Sequence, residues 1–229
     1  SIKEEKGDRM PPRPKFTREE VTAAAYELVR EQGAGALTAR ELGARLGSSA
    51  RPIFTVFADM AELKAAVCEK ARACFASYMA VAEDFDPAYK MRGMQWVKFA
   101  QEQPRLFQLL FMQGAGGAPD FDEAMRASAF DAERDIAIIQ RDYHASAEQA
   151  GHLFRQMWIY TYGLCVLCAT GICSFTEQEL AQRLGEIFRG MIYVLMSDTV
   201  LFTGVRPAKH GSAESDFVRR NHPDLGGAR

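Results

Sequence analysis

Residues 37–58 read LTARELGARLGSSARPIFTVFA, and this stretch decides the fold. Thr38, followed three residues later by Glu41, forms a capping box, with Leu37 and Leu42 placed as its hydrophobic staple. Gly47 ends that helix, as glycine does where the chain must turn left-handed. Ser49 is placed to cap a further helix through Ala50, Arg51, Pro52, Ile53, Phe54, Thr55, Val56 and Phe57. Pro52 then falls at the third helical position, where its missing N–H has no intrahelical partner to lose. Two short helices around the tight Gly47-Ser48 turn make a helix-turn-helix, whose second helix enters the major groove of DNA. Ser48, Ser49 and Thr55 can donate to phosphates or base edges, and Arg51 can reach guanine acceptors or phosphate. The same pattern also describes a plain helical packing unit, and a serine-rich turn with one arginine occurs on many surfaces.

The same grammar extends outward. Upstream, Thr17 and Glu20 form another capping box, with Phe16 and Val21 as staple. Val21, Ala24, Ala25, Leu28 and Val29 follow the spacing of one helical face, and Gly33 closes the helix. Downstream, Asp59 caps a helix with Glu62 at its third position, expected to run to about Ala82. Helical patterns then cover Tyr89–Glu102 and Arg105–Met112, each after a proline (Pro87, Pro104). Residues 113–119 hold three glycines and a proline and read as a loop. Further helices are expected over Asp120–Arg141, Ala145–Cys173 and Glu177–Phe202, the last opening with the Thr176/Glu179 box and the Phe175/Leu180 staple. No stretch alternates as a strand does. The fold class is therefore all-α, with about nine helices. An N-terminal tail (1–14) leads to a three-helix helix-turn-helix domain (15–63), a larger helical domain (64–204) and a polar C-terminal tail (205–229).

Composition narrows the function classes. The 229 residues carry 28 basic and 30 acidic side chains, so net charge is −2 and does not by itself point to nucleic acid. The basic excess is local: from Leu37 to Ala58 the charges are Arg40, Arg45 and Arg51 against Glu41 alone. The first fifteen residues have no apolar signal-peptide core. The five cysteines are Cys68, Cys74, Cys165, Cys168 and Cys173, and an odd number without an export signal suits reduced thiols in a cytoplasmic protein. Residues 156–176 lack charge over a span near that of a membrane helix. Gln156, Thr161, Gly163, Thr170, Gly171 and Ser174 make a buried helix the expected reading, with no membrane partner.

The head resembles the DNA-binding domain of the TetR family of bacterial regulators. The resemblance is carried by Phe16-Thr17, Ala25, Gly33, Leu37-Thr38, Leu42-Gly43, Leu46-Gly47, Ser49, Ile53-Phe54, Phe57 and Leu63-Lys64. The segment from Phe99-Ala100 through Pro104-Arg105-Leu106-Phe107 to Leu110-Phe111-Met112 is similar to effector domains of that family. The resemblance implies a homodimeric regulator, a repressor in its usual form, with double-stranded DNA, a small-molecule effector and itself as partners, and no catalysis. Its DNA-facing residues map here onto Thr38, Arg40, Ser48, Ser49, Arg51, Pro52, Thr55, Val56 and Lys64. The sequence departs from the family where Phe54 replaces a frequent Tyr, Val56 a frequent His, Arg51 a frequent Gly and Met60 a frequent Lys. These departures place more of the reading on Arg51 and the backbone contact on Lys64. They also motivate an alternative: a small-molecule binding protein with a vestigial head.

The larger domain is rich in aromatic side chains. Trp96 and Phe99 share a helix face, as do Phe107 and Phe111. Together with Trp158 and Tyr162 they are the candidate walls of an effector site, although aromatics at helical spacing most often form core. No cofactor is expected beyond an unidentified effector. Dimerisation is expected through the last two helices, over Met157–Cys173 and Met191–Phe202, with Gly163 and Gly171 permitting close approach. Cys165 and Cys168 share a helix face but lack the spacing of a zinc site, and buried thiols are the expected reading. His144 and His152 are expected at the surface. No phosphate loop, Ser/His/Asp order or paired-carboxylate pattern appears.

Overall fold

A computed structural model describes residues 15–113, 120–128 and 131–196. The expected tails, the 114–119 loop and residues 197–202 of the last helix lie outside the described residues. The chain divides into two compact units, Ser1–Tyr193 and Val194–Arg229. Among the described residues there are nine α-helices and no strand, so the protein is all-α.

The head begins with α1 (Arg18–Gln32). Extended Thr17 accepts from the Glu20 N–H at 3.1 Å, and the Glu20 carboxylate accepts from the Thr17 N–H at 2.8 Å. Both halves of the expected box form. α2 (Ala39–Arg45) starts at Thr38, whose hydroxyl accepts from Glu41. Here the box is half made, because the Thr38 N–H donates to the Ala36 carbonyl instead. α2 ends as the sequence suggests. Gly47 has φ +62°, its N–H reaches the Ala44 carbonyl, and the Ser48 N–H reaches the Gly43 carbonyl. This is a Schellman closure.

The expected third helix takes a different form. Residues Arg51–Thr55 make a single 3-10 turn, led by Ala50 with no side-chain cap, so Ser49 does not start an α-helix here. Pro52 lies at the second helical position, one earlier than expected. Three local causes oppose α-helix. Pro52 disfavours the helical basin at Arg51. The Thr55 hydroxyl donates to the Pro52 carbonyl at 2.6 Å, occupying the acceptor that an α-helical N–H would use. Ile53, Phe54, Thr55 and Val56 are all weak helix formers. Ile53 and Phe57 are nonetheless buried with Val21, Ala25, Leu28, Val29, Leu42 and Leu63, and these close the core of the head.

α3 (Met60–Ala80) begins on the Asp59 cap and runs without a break beyond the head, carrying Val67, Ala71, Phe75 and Met79 on its buried side. It ends slightly before the expected Ala82, passing into a 3-10 turn. α4 (Ala88–Glu102) and α5 (Pro104–Phe111) follow as expected. The single helix expected over Asp120–Arg141 is two: α6 (Phe121–Ser128) and α7 (Ala132–Tyr143). Asp131 makes the second start, its side chain accepting from the Arg134 N–H. α8 (Ala147–Ala169) opens on a Ser146/Gln149 capping box and is shorter than the expected Ala145–Cys173. Its end explains the shortening. Gly171 has φ +74°, and the N–H groups of Gly171 and Ile172 reach the Cys168 and Leu167 carbonyls. That is a second Schellman closure, so Gly171 serves the turn. α9 (Glu177–Met196) starts on the Thr176/Glu179 box.

Within the first unit α4 lies against α3, α7 and α8, while α5 touches α1, α3, α4 and α8. Arg92 on α4 is buried and its Nε donates to Asp135 of α7, an ion pair inside the body. No described helix is long and apolar enough to cross a membrane. The uncharged stretch expected to be a buried helix is α8 and the turn after it, with Met157, Thr161, Leu164, Cys165 and Cys168 on its buried side.

Candidate nucleic-acid interface and aromatic site

The turn between α2 and residues 51–55 is positioned by glycine. A Cβ on Gly43 would sit 3.0 Å from the Ala50 nitrogen and 3.0 Å from the Ser49 carbonyl carbon. Both are backbone atoms, so only glycine lets the turn lie this close to α2. The turn leaves Ser49, Arg51, Phe54 and Thr55 exposed, with Ser48, Pro52 and Val56 half-buried. Phe54 is 45% exposed, unusual for a phenyl ring in so small a unit.

The cations of the head divide into two groups. Arg45 forms two hydrogen bonds to the Glu31 carboxylate, at 2.7 and 2.9 Å, which fasten α2 to α1. Arg18 donates to Glu62 and to the Val56 carbonyl, and its guanidinium lies over the Phe57 ring. These two are structural. Arg51 and Lys64 are exposed and carry no ion pair among the described residues, and Arg40 lies only loosely beside Glu41 at 3.5 Å. Lys15, which the sequence reading passed over, donates to Ser48 at 3.1 Å and adds a cation to the turn. Thr38 uses its oxygen as an acceptor and keeps its O–H free to donate. Thr55 spends its proton on Pro52 and offers only an acceptor.

The six aromatic residues singled out in the larger domain come together. Trp96 on α4 lies 5.8 Å from Phe111 on α5, and 6.0 and 6.2 Å from Trp158 and Tyr162 on α8, between ring centroids. Trp158 and Tyr162 stack at 5.0 Å with 6° between their planes. Phe107 joins Phe111 and Tyr162. Phe99 belongs to the same network through Phe75, which touches both Phe99 and Phe111. Phe99 and Phe107 are fully buried and act as core, whereas Trp96, Phe111, Trp158 and Tyr162 are half-buried. Phe75 and Phe121, which meet Phe111 and Trp158, were not on the sequence-derived site. Contacts between helices of distant sequence leave no local signal.

Polar atoms inside this cluster are few. The Tyr162 O–H donates to the Phe111 carbonyl at 2.8 Å. The indole Nε1 atoms of Trp96 and Trp158 are buried and meet no acceptor among the described residues. The nearby thiols are poor nucleophiles. Burial pushes the Cys168 thiol up to about 11 and that of Cys165 well above its ordinary value, so the reactive thiolate is suppressed. Cys168 donates weakly to the Gln101 side-chain oxygen Oε1, which also accepts the Phe175 N–H.

Short helices closed by glycine turns and a helical bundle with an aromatic interior make up this all-α unit. Residues 91–195 match the family model described as tetracyclin repressor-like, C-terminal domain. The body is therefore similar to the C-terminal domains of TetR-like proteins, which are regulators rather than enzymes. No curated protein matches it.

Proposed function

We propose that the protein is a ligand-responsive repressor that binds an approximately palindromic operator as a homodimer. The observation that carries this reading is the turn at residues 46–51. Gly43 and Gly47 hold it against α2 and leave Arg51 exposed and without an ion pair, beside Ser49 and Lys15. Arg51 reads a base, Thr38 and Ser49 donate to phosphates, and Arg40 and Lys64 supply charge to the backbone. The domain boundary falls near residue 63, with the body as effector and dimerisation domain. Dimerisation through α8 and α9 is supported by Ile159, an apolar side chain of α8 that is exposed in the single chain.

Effector occupancy reaches the head through α5. Phe107 and Phe111 of α5 belong to the aromatic cluster, and Arg105 of the same helix packs against the end of α1, where a Cβ on Gly33 would lie 3.5 Å from its Cδ. An effector must favour one arrangement of these helices over the other to shift DNA affinity.

Fluorescence anisotropy with the DNA upstream of the protein's own gene, against a scrambled duplex at several salt concentrations, tests the reading. A salt-dependent preference for the first is expected. Arg51→Ala should weaken specific binding by ~1–3 kcal/mol and relax base preference. Equal, weak binding to both duplexes and to operator-selection libraries would overturn it. That outcome would favour a small-molecule binding protein whose head no longer reads DNA, a reading supported by the bare Phe54 ring and the spent Thr55 proton.

A further inference from the structure

We propose that the aromatic cluster of α4, α5 and α8 takes a flat, uncharged aromatic compound carrying a hydrogen-bond acceptor, and that the Trp96 and Trp158 indoles hold that acceptor. The inference rests on the reading of the body as an effector domain and names the chemistry of its ligand.

Shape is the first argument. Trp158 and Tyr162 are stacked with nearly parallel planes, and the Trp96 plane is inclined to theirs by 49° and 50°. Phe111 and Phe121 flank Trp96 and Trp158 in edge contacts. These rings are only half-buried or exposed, while the Phe75, Phe99 and Phe107 layer beneath them is sealed. A surface of this kind favours a planar partner, through offset stacking and edge contacts.

Polarity is the second. A buried donor without an acceptor costs free energy, and tryptophan N–H groups usually find a partner when buried. Here two such donors are unmatched, on facing helices whose indole centroids are 6.0 Å apart. The Tyr162 proton is already used by the Phe111 carbonyl, so it makes no further demand. The need is for acceptors alone: a carbonyl or ring oxygen satisfies it, and a ligand N–H does not.

Charge is the third. None of the cluster's rings belongs to a charged residue. Arg92, one turn before Trp96, has its charge balanced by Asp135, and its buried Nη2 is one more donor without an acceptor. A ligand anion or cation would enter without a counter-charge of its own, and burying it that way is costly.

The protein has two tryptophans in all, Trp96 and Trp158, so its tryptophan emission reports on this site alone. The test is a tryptophan-quenching titration of the full chain with 9-fluorenone, with fluorene (the same frame without the oxygen) and with fluorenone-2-carboxylate. Fluorenone is expected to bind about fivefold or more tighter than fluorene, roughly the effect of one hydrogen bond, and tighter than the carboxylate. Trp96→Phe and Trp158→Phe keep a ring and remove the N–H, and each keeps the other tryptophan as reporter. Each should lower fluorenone affinity several-fold and leave fluorene unchanged, with circular dichroism melts verifying the fold. Equal binding of fluorenone and fluorene, tighter binding of the carboxylate, or no binding by any of the three would overturn the proposal. Operator binding is measured separately. Its loss would remove the regulatory reading, while the fluorenone-to-fluorene ratio would still decide the chemistry of the site.

Discussion

The head and the aromatic body are stabilised by different means. The head is small, and its order comes from its ends: Thr17, Thr38 and Asp59 cap three helices, Gly47 closes one, and Arg45–Glu31 and Arg18–Glu62 tie elements together at the surface. The body relies on ring against ring, from Phe75 through Phe99, Phe111 and Trp96 to Trp158. Caps and closures are satisfied in place, which suits the DNA-reading role proposed for this surface. The ring layer leaves two buried donors unmatched, which suits a region that awaits a partner. The contrast shows polar satisfaction differing between the part presented as a reader and the part proposed as a receiver.

The contrast can be broken from the body first. Phe75→Ala removes a fully buried ring touching Phe99 and Phe111 and should cost about 3–5 kcal/mol in urea unfolding. Head and body should then melt together, since α3 carries Phe75 as well as the head residue Leu63. Separate transitions would show the two parts to be independent.

Gly43→Ala acts on the head alone. Its new methyl meets backbone at 3.0 Å, and the expected cost is about 1–3 kcal/mol. Hydrogen exchange should quicken over residues 39–57 while tryptophan emission stays as it was. Thr17→Ala deletes one half of a complete capping box and should cost about 1 kcal/mol, read as a lowered melting temperature.

The smallest effect concerns acid. The hydrogen bond from Arg45 holds the Glu31 carboxyl below its ordinary range. Its contribution is therefore present above the ordinary carboxylate pKa and is lost as pH falls through the lowered value. Melting of the wild type should drop more steeply than that of Glu31→Gln as pH falls from 5 to 3. Parallel curves would show the exposed pair to be without weight.

These regions also differ in how far they could be read from the chain. Capping boxes and αL glycines act within six residues, so Thr17/Glu20, Gly47 and Thr176/Glu179 were legible. Ser146/Gln149 obeys the same rule and was passed over inside a longer expected helix. The 3-10 turn at Arg51–Thr55 was misread because Pro52 is tolerated early in an α-helix. What tipped the balance was a side-chain bond from Thr55 that competes with the backbone. Gly171 was assigned to close approach, yet its positive φ belongs to the end of α8. In the body, pairs such as Trp96/Phe99 follow from helix spacing, but the stack across α4, α5 and α8 is set by packing. Arg45 enters the local basic excess over Leu37–Ala58 because its partner Glu31 lies fourteen residues away on another helix.

Helix α5 spans only Pro104–Phe111. At 1.5 Å per residue its eight residues measure about 12 Å, little more than two turns, too short a strut to bend. One end of this strut rests beside Gly33 at the foot of α1, and at the other the Phe111 carbonyl takes the Tyr162 proton. A displacement of the ring end would therefore carry the Arg105 end with it, because the helix moves as one piece.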